Sequence, residues 1–330
     1  MSEEQENFSE EIEDPVREAN WFKVVLYTYL QVILIYGVVT IFTQAYYTTT
    51  FYCFFLIYLG FIGVNAGAHR LWAHNSYTAT TRLKVFLMLC QTLVGQCTIY
   101  DWVLYHRLHH KHFKTDQDPF NPSKGFFHAH FFSLVQKPSN NQEELLKQID
   151  MSDLEKDGVV MFQKNYYWLL CLSLLAFTSL YIPCCLWNES LLSAVFVAGC
   201  LRFGVNLHLT WLIHSATTLF ALKKGESYPA DTNLVFLWDK TYWLHYHYLT
   251  PWDYQTGEYG NYGDDQISAL IRVFVALEFA SNLRTTSTAA VQQALYASLK
   301  TKKHISECLL ETEVNGNIPP DHYLNPKKYY

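Results

Sequence analysis

The sequence predicts an all-α membrane protein, with four transmembrane helices capped by a cytosolic helical domain. Three observations predict it. Residues 24–68 contain no Asp, Glu, Lys or Arg. Two more apolar runs, 165–188 and 190–213, follow a charged central stretch, and the second carries only Arg202. Histidines then gather beside the apolar runs, as His69 and His74, and as His106, His109 and His110.

The elements follow in order. Glu3 to Asp14 contribute seven of the 30 acidic residues, so most of the net charge of −6 is local. Residues 1–20 are therefore expected to be an acidic, disordered tail. About 20 apolar residues cross a bilayer, so 24–68 is long enough for two spans. These are placed at 22–44 and 47–68, with Ala45-Tyr-Tyr-Thr-Thr-Thr50 as the turn. Segment 83–99 reads as an amphipathic helix along the membrane. A soluble stretch from 101 to 164 holds the turn-rich Asp116 to Pro122. Spans at 165–187 and 190–213 complete the four, and 223 onward is polar enough to lie outside the bilayer. The membrane domain is bounded at 21–300, with a cytosolic tail at 301–330.

Basic residues set the orientation. They crowd between the second and third spans, from Arg70 to Lys164, and the short loops on the other side have none. The positive-inside rule then puts the cap and both termini in the cytosol. Asn188-Glu-Ser190, a glycosylation sequon, falls on the opposite side. Lys327-Lys328, two residues from the end, has the form of a retrieval signal for the endoplasmic reticulum membrane. The N-terminus lacks a basic n-region, so no cleavable signal peptide is expected. The eight cysteines show no CxxC spacing and read as core thiols. Nothing points to nucleic acid as a partner.

The histidines carry the chemistry. At 100° per residue, His106, His109 and His110 share one helical face. Converging imidazoles bind zinc, copper or iron, whereas a single histidine is more often an ordinary hydrogen-bonding group. Five in two clusters on one membrane face favour metal. The H-E-x-x-H pattern of zinc hydrolases is absent, and haem needs only one or two protein ligands. A histidine-rich, carboxylate-poor site suits non-haem iron that handles oxygen.

Beyond these spacings lies a specific resemblance. Gly67-Ala-His-Arg-Leu-Trp-Ala-His74, Asp101-Trp102, His106-Arg-x-His-His110, Asp118-Pro-x-Asn121, Gly125-Phe-Phe127 and Pro251-Trp-Asp-Tyr254 resemble the integral-membrane acyl-CoA desaturases of the stearoyl-CoA type. The resemblance runs from about Trp21 to 300. It implies a histidine-rich di-metal site of two iron ions, oxygen as oxidant and a long-chain acyl-CoA substrate. It also implies electrons from cytochrome b5, here a separate protein because no His-Pro-Gly-Gly haem motif occurs. Gln96, Thr210 and Trp211 match positions that line the family's substrate tunnel.

The pattern is incomplete. The family's third histidine cluster corresponds here to Leu244-His245-Tyr246-His247-Tyr248, and only His247 stands in place. Thr218 replaces another ligand, and His214 replaces a water-holding asparagine. Six ligands remain, His69, His74, His106, His109, His110 and His247, with His214 and His245 as candidates to compensate. The Arg-Asp pair that holds CoA has become Leu104-Tyr105, and a basic pair has become Gln136-Lys137. Three readings stay open: a working desaturase with a rebuilt site; a relative that keeps the fold without efficient catalysis, binding lipid or pairing with an active desaturase; or an oxygenase that takes an acyl group not carried on CoA.

Overall fold

A computed structural model describes residues 17–220, 244–255, 265–303 and 305–313. Helices α1 (Trp21–Thr43) and α2 (Tyr47–Ala73) come first. Two helices bent at 82° follow, α3 (Thr81–Val94) and α4 (Ile99–Lys111). The short α5 (Phe126–His130), α6 (Asn140–Lys147) and α7 (Ser152–Glu155) lead to α8 (Gly158–Trp187) and α9 (191–220). The cap is completed by α10 (Leu244–Leu249), α11 (Gln266–Ala276), α12 (Thr288–Thr301) and α13 (Ile305–Glu313). Two short strands, β1 (Thr78–Ala79) and β2 (Ala280–Ser281), pair antiparallel and tie the start of α3 to the cap.

Among the described residues, four helices are long and apolar enough to cross a membrane: α1, α2, α8 and the Leu191–Ser215 part of α9. Only 11% of the apolar window of α1 and of α8 is buried, against 61% for α2 and 56% for α9. The first pair therefore faces lipid and the second forms the inner wall. Helix α1 approaches α9 closely at Gly37, where a Cβ would stand 2.6 Å from the Phe196 carbonyl oxygen. Small residues permit such backbone contact between membrane helices.

Two spans are longer than the sequence suggests. The second reaches Ala73, not 68, and the third begins at Gly158, not 165. Polar and charged residues such as Arg70 and Lys164 stopped the sequence-based spans, but the helices continue past the bilayer. At 1.5 Å per residue, α2 is roughly 40 Å long, about 10 Å more than the hydrocarbon core. Its overhang carries the first histidine cluster.

Segment 83–99 is not one helix. Thr80 caps the start of α3 by accepting from Leu83 N at 3.5 Å, and Gly95 ends it at φ +77°. Thr98 caps α4 by accepting from Asp101 N at 3.0 Å. A buried amide network braces the corner. Gln163 of α8 donates to Gln91 Oε1 at 2.6 Å and accepts from Ile99 N at 2.8 Å, while Gln91 donates to the Cys97 carbonyl at 2.9 Å. Arg202 of α9 donates to the Leu93 carbonyl, so a cation sits at the C-terminal end of α3. The corner turns α4 up into the cap, over a core that includes Leu71, Trp72, Leu87, Leu108, Ile267 and Ile271.

Residues 1–16, which hold the acidic tail, and 314–330, which hold Lys327-Lys328, lie outside the described residues, as do the side chains of Thr218, Leu244 and His245.

Candidate metal centre

Three elements deliver the imidazoles. The last part of α2, Gly63–Ala73, is a π-helix. There His74 N donates to the His69 carbonyl at 3.1 Å, an i→i+5 bond that stacks the fifth residue near the first. A 69–74 spacing would diverge on an α-helix and converges here. Tyr77 secures the irregular turn by donating to the Ala66 carbonyl at 2.8 Å. Helix α4 supplies His106, His109 and His110, one turn apart, and α10 supplies His247.

Five of these rings share a focus. Donor nitrogens of His69, His74, His106 and His247 all lie within 4.8 Å of one another. His69 Nε2 is 3.2 Å from His247 Nε2, and His74 Nε2 is 2.9 Å from His106 Nε2. His110 joins through its Nε2, 3.1 Å from that of His247. An ion about 2.0–2.1 Å from each nitrogen sets neighbouring nitrogens roughly 3 Å apart, so this donor set fits a metal. Without a cation, so many nitrogens aimed at one another satisfy few hydrogen bonds. Burial, and then the charge each imidazole would place on the others, holds His106, His110 and His247 well below the usual histidine pKa. They are neutral ligands at neutral pH.

The clusters are anchored by the arginines within them. Arg107 makes a two-pronged pair with Asp153 at 2.8 and 2.6 Å and donates to the Trp72 carbonyl at 2.9 Å, which fastens α4 to α2. Arg70 pairs with Asp265 and donates to the Tyr254 carbonyl at 2.7 Å. Trp102 stacks on His106, with centroids 4.8 Å apart and planes at 20°. Sequence reasoning assigned none of these roles, although Trp102 stands one helical turn before His106.

The sixth histidine is arranged differently. His109 Nδ1 lies 2.8 Å from Asp118 Oδ1, and its Nε2 lies 2.7 Å from the Tyr248 hydroxyl. The Nδ1–H donates to the carboxylate, which leaves Nε2 as the acceptor for the tyrosine O–H. Burial, and then the Asp118 charge, pushes the Tyr248 phenol well above its usual pKa. His214 stacks flat on Phe120, centroids 3.7 Å apart at 10°. Its ring is 5.3 Å from that of His109.

A cavity of about 140 Å³ runs beside this centre. Arg17, Lys23 and Gln136 line its outer part, and the buried Trp102, Phe120 and His214 its inner part. Gln96 is on the wall, as is Tyr105. Trp211 is buried behind the wall, edge-on to Tyr27 at 5.3 Å, and the Thr210 hydroxyl donates to the Asn206 carbonyl at 2.9 Å. Lys137 is exposed, 2.9 Å from Glu18, and is not on the wall.

No model of a protein family matches the chain. Individual proteins do. It is 39% identical to an acyl-CoA Delta-9 desaturase of Acheta domesticus over 280 residues, which is 84% of this chain and 78% of the relative. The chain belongs to the acyl-CoA desaturase family. A Delta-12 desaturase of Tribolium castaneum is 36% identical over 81% of this chain and 76% of its own length. The human stearoyl-CoA desaturase is 34% identical over 84% and 77%. Within this desaturase frame the α2, α4 and α10 histidines form the pocket that could hold a metal ion. The protein is thus a multi-pass member of the family with a histidine-lined centre beside a cavity.

Proposed function

We propose that the protein is a fatty acyl-CoA desaturase of the stearoyl-CoA 9-desaturase type, placing a cis double bond in a long-chain acyl group with oxygen as oxidant. The observation that carries the reading is the cavity whose inner wall, Trp102, Phe120 and His214, lies against the imidazole focus. The aromatic wall gives an acyl chain an apolar surface to pack against. Arg17 and Lys23, at the outer part, attract an anionic head group. Gln96 lines the same cavity, while Thr210 and Trp211 brace it from α9. Lys137 stands off the wall, with its charge paired to Glu18.

Iron is the metal we assign, held by His69, His74, His106, His110 and His247. When bound, it supplies the oxygen chemistry that removes hydrogen from an unactivated methylene. The relatives' names carry Delta-9, Delta-11 and Delta-12, so family membership alone does not fix the bond position. Cytochrome b5 is assigned as electron donor, the endoplasmic reticulum membrane as location, and the cytosol as the side of both termini. The division into a tail at 1–20, a membrane domain at 21–300 and a tail at 301–330 belongs to the same reading.

One observation favours a second reading. Tyr248 bonds to His109 where the family pattern has two ligands, and Tyr105 stands where it has a CoA-binding acid. Both fit a relative that retains the fold and lipid cavity without efficient desaturation. Expression in a desaturase-deficient host, with fatty-acid profiling, separates the two. New monounsaturated acids that vanish with His106→Ala support the first reading. An unchanged profile at good expression supports the second.

A further inference from the structure

We propose that this chain binds one metal ion, not two: the five imidazoles of His69, His74, His106, His110 and His247 take it, and the place beside His109 is closed by the Tyr248 hydroxyl. The inference rests on the metal-binding reading of the site, and it holds whether or not a double bond is made.

Three features carry it. First, the six retained histidines divide five to one. Among the five, Nε2–Nε2 contacts of 2.9–3.2 Å link His74 to His106, His69 to His247 and His247 to His110, while the Nε2 of His109 meets the Tyr248 hydroxyl instead. Second, the one lone pair His109 could offer is in use. Asp118 fixes the tautomer through Nδ1, and Tyr248 reaches Nε2 at 2.7 Å. A nitrogen already engaged by a hydroxyl at 2.7 Å is covered on the side from which a metal would approach. Third, no spare anion is at hand among the described residues to offset a second cation. Among the described residues the carboxylate at His109 is Asp118, and it already accepts from His109, from Phe120 N at 2.9 Å and from Lys114 N at 3.3 Å. His214, the other imidazole nearby, lies flat against Phe120.

One of the substitutions falls at His109 itself. Of the three positions where the family pattern expects histidine and this chain has Thr218, Leu244 and Tyr248, the last stands directly on His109. Loss of one site with retention of the other explains why the remaining histidines are still well gathered. Scattered decay of a single shared site would have loosened all of them.

The test counts metal. Full-length protein, purified in detergent and loaded anaerobically with ferrous iron, is predicted to hold about one iron per chain by elemental mass spectrometry. His74→Ala and His106→Ala each lower the iron content at least about tenfold, on the scale known for disturbed metal sites. His109→Gln keeps the ion, with an unchanged elution profile confirming the fold. Thr218→His, Leu244→His and Tyr248→His combined raise the content toward two. Two irons in the unaltered chain, no iron at all, or loss of iron in a folded His109→Gln would each overturn the proposal. So would a His245→Ala variant that lowers a content of two to one. Fatty-acid profiling is read separately. Two irons with product sinks only the metal count, and one iron without product sinks only the desaturase reading.

Discussion

Each histidine cluster carries an arginine that faces away from the imidazoles, and these arginines set the geometry. Arg107 spans α4, the end of α2, and α7 with the loop before it, through charge-assisted bonds. Removing one partner of a buried pair costs about 3–5 kcal/mol; Asp153 keeps some access to water, so Arg107→Ala should cost about 3 kcal/mol. Thermal unfolding in detergent measures it, and metal content should fall in parallel as His106 and His110 lose their footing. Acid should act on the same residues. His106, His110 and His247 resist protonation when folded, whereas the unfolded chain takes up protons as pH falls through about 6.5. Stability contributed above that pH is lost below it, by up to roughly 1.4 kcal/mol per pH unit for each histidine. The metal-free protein should therefore melt at progressively lower temperature between pH 7 and pH 5. A flat profile would contradict the buried, neutral cluster. At this scale the face shared by His106, His109 and His110 was legible because a helix has a fixed period. The pairing of His109 with Tyr248 was not, since it joins residues 139 positions apart.

Helix boundaries were legible where lipid dictates them and obscure where the cap does. Charge-free runs mark spans because an unpaired charge in hydrocarbon is expensive. The overhang of α2 and the corner between α3 and α4 have no such signature. Both depend on hydrogen bonds to other elements, such as Tyr77 to Ala66 and Gln163 to Ile99. The corner makes a direct prediction. Gly95 has φ +77° and faces the Phe203 ring, so Gly95→Ala adds backbone strain of about 1–2 kcal/mol to a steric clash. Its melting temperature should drop, and metal content should drop with it because α4 loses its direction. Retained metal at reduced stability would show that the corner and the centre are uncoupled.

Across the whole molecule, the two faces of the bundle are fixed by different means. On the cap side the residues just described hold the helices. On the other side a buried carboxylate does so: Glu189, between α8 and α9, accepts from Tyr46 N at 2.9 Å and from the Thr49 hydroxyl at the start of α2. Four crossings return the chain to its starting side. In sealed vesicles with the cap outward, a membrane-impermeant thiol reagent should label an introduced Glu144→Cys and spare Asn188→Cys, both exposed positions. Labelling of both, or the reverse pattern, would refute the four-span topology.

The short lead-in to α1 has a role at the cavity. Asn20 N donates to the Val135 carbonyl at 2.7 Å, Lys137 N to the Glu18 carbonyl at 2.8 Å, and Arg17 Nε to the Lys137 carbonyl at 3.0 Å. Residues far apart in sequence are thereby knitted into a single doorframe, with Arg17 as one of its posts. Trimming the chain to begin at residue 17 leaves every one of these stitches in place. Trimming to residue 21 removes a cation and unpicks the frame together, so acyl-CoA affinity should change at the second cut and not at the first.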